Sequence, residues 1–424
     1  MGRPEPLPSR PQRRRITTAS TIFTILLITL LCFTRYSQQL LPIVPAIMTQ
    51  DAQSQSQSQP HPHPHPSFTK PTLLASLPPS ALPKPHAGLD SPRLIMIGDV
   101  HGQLDALDAL LTKVGYSRAR GDTVVFTGDM VNKGPDSGGV VDRAVEMGAY
   151  SVRGNHEDRV LRAWAEMQAD ANTDTDTDTD TDIDEEAGGD AEAEGKKRKK
   201  NHGHKHKHKS KKGDRKTAKS LTSAQRSWLA ARPVILRVGA ISPYYGDVVV
   251  VHGGLVPGIA LEKQDPQVVM NIRTLITPSS SSSSTESLLD PSIASSSHPH
   301  LKPSEGREGH PWSKVWNTLE KEKRKKGRHG TPTTTVIYGH DAKTGLSIRR
   351  YAFGLDSNCA RGGELTALVF EPTSPSTTDS DSDSPDSSND SNNGENTEIT
   401  ASEKLEQTKH GIAHRIVSVA CRPR

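Results

Sequence analysis

Leu94-Ile95-Met96-Ile97-Gly98-Asp99-Val100-His101-Gly102 is the stretch from which the fold can be read. Four apolar residues suit a strand buried on both faces, a glycine ends it, and an acid and an imidazole follow at once. The pattern recurs downstream. Thr123-Val124-Val125-Phe126-Thr127 is a second short strand, closed by Gly128-Asp129-Met130-Val131-Asn132-Lys133-Gly134. Tyr150-Ser151-Val152 is a third, closed by Arg153-Gly154-Asn155-His156-Glu157. Between them Leu104, Leu107, Leu110 and Leu111 recur at helical spacing, residues 140–147 suit a second helix, and Val160, Leu161 and Trp164 continue into another. Strands alternating with helices predict an α/β sheet with helices on its faces. Such sheets place ligands beyond the carboxyl ends of their strands, which is where each cluster falls.

Farther along, a helix is expected near 221–231 and strands near 234–238, 248–251, 335–338, 365–370 and 416–421. Two more clusters follow strands: His252-Gly253-Gly254 and Gly339-His340-Asp341. Trp312 and Trp316 share one helical face, which reads as core packing. The rest of the chain is poor in core-forming residues. Of 424 residues 32% are hydrophobic and 4% aromatic, too few to order the full length. One domain over 91–424 is expected, with disordered insertions at about 170–219, 278–309 and 372–408, where Thr-Asp, Lys-rich, Ser-rich and Ser-Asp runs dominate. Residues 36–90 read as an extended tether with solvated His61, His63 and His65.

Residues 16–33 form an uncharged stretch preceded by Arg13, Arg14 and Arg15. This predicts a single-pass anchor over 16–35, a cytosolic tail over 1–15 and a catalytic part outside the cytosol. A cleaved signal peptide ending at Val44-x-Ala46 is the alternative. The net charge of +4, 53 basic minus 49 acidic residues, excludes a uniformly basic nucleic-acid binder, and no specific nucleic-acid partner is expected. Cys32, Cys359 and Cys421 are too few for a disulfide scaffold and lack Cys-x-x-Cys spacing. Cys359 and Cys421 are expected as buried free thiols, with pairing the alternative in an oxidising lumen.

The five clusters each set a metal-capable or acid–base side chain beside glycine, which lets backbone approach a ligand closely. Asp and His suit Zn, Fe or Mn. Several of them on neighbouring strand ends can hold two cations about 3.5–4 Å apart, an arrangement that activates water and clamps a phosphoryl group.

On these residues the chain resembles metallophosphoesterases of the Ser/Thr phosphoprotein phosphatase superfamily. Residues 128–135, 151–161, 338–346 and 354–359 resemble its ApaH-like branch in particular, and the anchored architecture is similar to fungal vacuolar zinc-dependent endopolyphosphatases. The resemblance implies a four-layer α/β/β/α sandwich and two divalent metal ions, zinc favoured over manganese or iron. It implies Asp99 and His101 on the first metal, Asp129 bridging, and Asn155, His252 and His340 completing the second. His156 is expected to protonate the leaving oxygen, and Arg273 or Arg153 to hold substrate phosphate. Eukaryotic protein phosphatases carry Asp-Arg where this chain has Asn132-Lys133. Asn132 keeps a hydrogen bond without the charge, which would make His156 a stronger acid, and Lys133 meets phosphate as a point charge.

The expected activity is internal cleavage of inorganic polyphosphate in the vacuole lumen. Alternatives are a Ser/Thr protein phosphatase, a dinucleoside polyphosphate hydrolase, and a non-catalytic membrane-tethered scaffold.

Overall fold

A computed structural model of the protein describes residues 2, 71–88, 90–173, 211–276, 301–327, 332–373 and 407–422. The anchor expected over 16–35 and the centres of the three insertions lie outside the described residues. Among the described residues no helix is long and apolar enough to cross a membrane.

Strand β1 is Leu74–Ser76, and β2 is Leu94–Ile97, every residue of which is buried. β2 pairs in parallel with β3 (Thr123–Phe126), and β3 with β4 (Tyr150–Ser151). On its other edge β13 (Glu364–Pro372) runs antiparallel, followed by β14 (Ile412–Ala420), giving a five-stranded sheet in the order β14-β13-β2-β3-β4. A six-stranded sheet joins β1 to β5 (Ile235–Ser242), β6 (Gly246–Val251), β10 (Thr334–Tyr338), β12 (Ala352–Gly354) and β11 (Ser347–Arg349), in that order. Three short strands, β8 (Lys302–Ser304), β7 (Thr274–Ile276) and β9 (His310–Pro311), form a separate sheet.

Strand alternation divides the core. Leu94, Met96, Val125 and Phe370 of one sheet meet Leu236, Val248, Val250 and Ile337 of the other in an inner apolar layer. Ile95, Ile97, Val124 and Phe126 point the opposite way. They pack under α1 (Leu104–Val114), α2 (Ser137–Met147) and α3 (Asn155–Thr173). On the far side Ile235, Val249, Val251 and Val336 meet α6 (Pro266–Asn271) and α7 (Trp312–Lys326), where Trp312 and Trp316 are buried. Two sheets thus lie face to face between helical layers. Helix ends follow local chemistry. Asp136 caps α2 by accepting from Gly139 N at 2.7 Å, and Gly115 and Gly148 close α1 and α2 in the left-handed region.

Several expectations are corrected. The tether does not run to residue 90: β1 is an edge strand paired in parallel with β5, because Leu73 and Leu74 pack into the apolar layer beneath α6 and α7. The insertion does not run unbroken over 170–219. α3 continues through Thr173, and Lys212–Ser220 is a helix, α4, followed by α5 (Ser223–Ala230). Asp214, Ala218 and Leu221, at helical spacing, are buried while the lysines face outward, so a like-charge run still carries an amphipathic face. Likewise 301–309 belongs to the fold: β8 pairs with β7, and Arg273 N donates to Ser304 O at 2.9 Å. Near the last insertion, Pro372 closes β13 and Gln407 is buried. Finally, Cys359 and Cys421 are not free thiols. They form a disulfide with Cα atoms 5.2 Å apart, since β14 ends against the Cys359 turn and Cys421 N donates to Gly363 O at 2.8 Å.

Candidate active site

The two sheets deliver their carboxyl ends to one cavity of about 420 Å³. From the five-stranded sheet come Asp99 and His101 after β2, Asp129 and Lys133 after β3, and Asn155 and His156 after β4. The six-stranded sheet adds His340 after β10 and Asp356 after β12, and His252, fully buried after β6, sits behind them. His101, Asp129, Asn132, Lys133 and His340 all adopt positive φ, between 49° and 72°. Such backbone is costly for non-glycine residues and persists only where its surroundings enforce it. Glu157 supplies much of that enforcement. Its buried carboxylate accepts from the N–H groups of Asp129, Met130 and Gly154, each at 2.8 Å, and of Val131 at 3.2 Å. Two glycines are obligatory beside it: a Cβ on Gly154 would stand 2.3 Å from Asp129 Oδ1, and one on Gly339 2.0 Å from Asp99 Oδ1.

Each imidazole and amide of the expected metal set has one polar atom tied back; the other is left for a ligand, except that His101 Nε2 is met by Lys133 Nζ at 2.8 Å. His252 Nδ1 donates to Thr127 O at 2.9 Å, and its Nε2 is buried without a hydrogen bond, 3.3 Å from Asp129 Oδ1. His101 Nδ1 donates to Val131 O at 3.1 Å, leaving Nε2 3.5 Å from Asp129 Oδ2. His340 reverses the pattern, with Nε2 donating to Asn271 O at 3.1 Å and Nδ1 remaining. Asn155 Nδ2 donates to Asn271 Oδ1 at 3.0 Å, while its Oδ1 is buried with no partner among the described residues. Back-bonding of this kind fixes the tautomer and orientation of metal ligands. Donor atoms of Asp99, Asp129 and His252 lie within 4.8 Å of one another, as do those of His101, Asp129 and His156. Asp129 belongs to both groups. These donors fit divalent cations around Asp129, but the groups cut across the expected division: Asp99 falls with His252, and His101 with His156, which was not among the expected ligands.

Electrostatics agree. Burial alone would lower the His252 imidazole, but Asp129 and Asp99 raise it to about 10. The negative field that holds this proton would equally attract a cation, which would displace it. Burial pushes Asp99 well up, with Asp356 adding to the rise. It lowers His101 to about 4 and His156 to about 2.

His156 and Asn132 meet as expected, with Nδ1 and Nδ2 3.1 Å apart. The charge thought to be missing stands one side chain behind: Asp214 Oδ1 accepts from Asn132 Nδ2 at 2.6 Å. Lys133 Nζ lies 2.8 Å from His101 Nε2, and Arg273 lines the cavity. Arg153 does not. Its buried guanidinium bonds Ala230 O at 2.6 Å and pairs with Asp158 at 3.4 Å, joining α3 to α5, so the expectation that it grips phosphate is corrected.

Arg159, Arg307, Lys343 and Arg361 line the cavity without having been singled out from the sequence. One signal was present for Arg159, which follows His156 by three residues and so shares its helical face. Asp356, whose charge helps to raise the Asp99 carboxyl, lies within residues 354–359 and had no role assigned from the sequence. Asp214 and Arg307 had no signal, because both border low-complexity runs.

The calcineurin-like phosphoesterase family matches residues 92–343. A symmetrical bis(5'-nucleosyl)-tetraphosphatase of Acidovorax sp. (strain JS42) is 42% identical over 73 residues, 16% of this chain and 25% of that protein. The asymmetrical bis(5'-nucleosyl)-tetraphosphatase PrpE of Oceanobacillus iheyensis is 36% identical over 81 residues, 16% of this chain and 32% of its own. The match thus spans about a quarter to a third of these relatives. A crystal structure of a candidate diadenosine tetraphosphatase is 26% identical, covering 70% of this chain and 93% of its own at a TM-score of 0.45.

Proposed function

Because this chain belongs to the calcineurin-like phosphoesterase family, which spans more than half of it, we propose that it is a hydrolase of phosphoanhydride chains, acting internally on inorganic polyphosphate. The observation carrying this reading is the cavity wall. Lys133, Arg159, Arg273, Arg307, Lys343 and Arg361 bring six cations to it, of which Arg307 pairs with Asp341, and among the described residues no Phe, Tyr or Trp lines it. Repeated phosphates find charge along such a wall, whereas a nucleobase finds imidazole and guanidinium planes but none of the larger aromatic faces of Phe, Tyr or Trp.

Two cations held by Asp99, His101, Asp129, Asn155, His252 and His340 would supply Lewis acidity and a nucleophile at neutral pH. The protein's own groups do the rest. Lys133 and Arg273 hold phosphate oxygens as point charge and fork. Glu157 fixes the Asp129 loop, and His156 meets the leaving oxygen. A luminal, vacuolar setting behind an N-terminal anchor belongs to the same proposal, and the Cys359–Cys421 disulfide suits an oxidising compartment.

A dinucleoside polyphosphate is the second reading, favoured by the names of the two tetraphosphatases. Incubating the purified chain, with Mn²⁺ or Zn²⁺, with long polyphosphate, diadenosine tetraphosphate and a phosphoserine peptide separates the choices. Intermediate-length polyphosphate products support the proposal. Rapid diadenosine tetraphosphate cleavage with polyphosphate left intact overturns it.

A further inference from the structure

Asp214 sits on α4, away from every strand-end motif, and is 5% exposed. Besides Asn132 Nδ2 it faces Arg159, whose Nε lies 3.5 Å from Oδ2. Three residues on, Thr217 Oγ1 donates to Asn132 Oδ1 at 2.5 Å. An ionised carboxylate only accepts, so turning the Asn132 amide over would set oxygen against oxygen. The amide is therefore held one way round. Its second N–H faces His156 Nδ1 at 3.1 Å. Arg159 Nη2, which also can only donate, lies 2.8 Å from the same nitrogen and 2.6 Å from Nε2, astride the ring edge between them. Both neighbours of Nδ1 are donors. Nε2 shares only the Arg159 donor and has the Asp129 carboxylate 3.8 Å away, so of the two nitrogens Nδ1, with a second donor from Asn132, takes the lone pair and Nε2 the ring proton.

We propose that Asp214 is a positioning residue that, through Asn132, fixes His156 as the Nε2–H tautomer and so suits the site to phosphoanhydrides over alkyl phosphate esters. This rests on the reading of the cavity as a phosphohydrolase site with His156 at the leaving oxygen. In anhydride hydrolysis water attacks phosphorus, the bridging P–O bond breaks, and its electron pair leaves on a phosphate oxygen, while the proton of water passes to solvent. A phosphate is a weak base, and a hydrogen bond from Nε2–H is enough for its departure. An alkoxide is a strong base and needs a proton delivered outright. A carboxylate on Nδ1 would steady a ring doing that. Here, among the described residues, no acceptor faces Nδ1.

The test uses the Mn²⁺-loaded full chain on tripolyphosphate and a phosphoserine peptide, comparing wild type, Asp214→Asn, and the swap Asn132→Asp with Asp214→Asn. The swap keeps one carboxylate and moves it onto His156. It is expected to shift the kcat ratio toward the phosphoserine peptide by at least about tenfold. Asp214→Asn alone is expected to lower kcat on tripolyphosphate with KM nearly unchanged. Ratios measured on a single preparation cancel any unfolded fraction. ¹⁵N shifts of the His156 ring in the diamagnetic Zn²⁺-loaded chain, assigned against His156→Gln, give a readout independent of turnover: wild type should show a protonated Nε2 and an acceptor Nδ1. A proton on Nδ1 in wild type, or ratios unmoved in both variants, overturns the proposal. A wild type that cleaves neither substrate instead overturns the phosphohydrolase reading itself.

Discussion

At the amino ends of β2 and β3, Asp122 is saturated with positive charge: Arg93 Nη2 lies at 2.8 Å, Arg120 Nη2 at 2.6 Å, and Ser117 N donates at 3.0 Å. At the carboxyl ends of the same strands, Asp99 and Asp129 are equally buried, yet no arginine or lysine ion-pairs with them among the described residues. One end fixes its counter-charge in two arginines, whereas the other holds only the proton of His252, which a bound cation would displace. Stability and chemistry are thereby assigned to opposite ends of two short strands. Burying carboxylates without fixed counter-charge is expensive, which marks the upper end as a place kept for a ligand.

The comparison breaks most sharply at Asp129, shared by both donor groups. Asp129→Asn is expected to cut turnover at least about 10³-fold without unfolding the chain, checked by steady-state kinetics. A divalent cation at 100 times its Kd should stabilise wild type by about 2.7 kcal/mol, read as a melting shift that the variant loses. Unchanged turnover would remove the dimetal reading. Gly339→Ala tests the same end more gently. Its methyl would press on Asp99 Oδ1, and a displaced ligand should cost about 10² in kcat, alongside about 1–3 kcal/mol of stability from the overlap.

The lower end should respond the opposite way. Asp122→Asn strands two guanidinium groups against a neutral amide and is expected to cost about 3 kcal/mol in chemical denaturation, with kcat kept. A fall in kcat matching that of Gly339→Ala would mean that the two ends are not separable.

The upper end was the more legible of the two, for a physical reason. Each of its donors follows a short apolar strand within a few residues, so Asp99, His101, Asp129, Asn155, His252 and His340 announce themselves locally. Features fixed by distant contact did not. Asp214 reaches Asn132 across 82 residues, from a run whose lysines conceal one buried stripe. Cys359 and Cys421 are 62 residues apart, joined only because β14 lies beside β13. Arg153 shows the converse: an arginine within a catalytic-looking motif whose role is decided by burial, which composition cannot reveal. β1 was hidden because Leu73 and Leu74 sit in a proline-rich stretch that reads as linker.

The finest probe of the comparison is Arg120, the more exposed of the two guanidiniums on Asp122. Burial would raise the Asp122 carboxyl, but Arg120 and Arg93 hold it at about 2, below the ordinary 3.8. A carboxyl depressed on folding contributes stability that is fully present above its unfolded value and is lost as pH falls through its folded one. Arg120→Ala should move the folded value upward and leave Arg93 in place. The expected deficit is about 1 kcal/mol at neutral pH, because the pair is partly solvated. It should shrink between pH 3.8 and 2 and vanish below, where both proteins carry the same protonated side chain. Urea unfolding followed across that range measures it. Since Asp99 and Asp129 have no such partner, the same arginine deletion should leave cation binding at the upper end untouched, and a matching loss of metal affinity would show that the two ends communicate through β3.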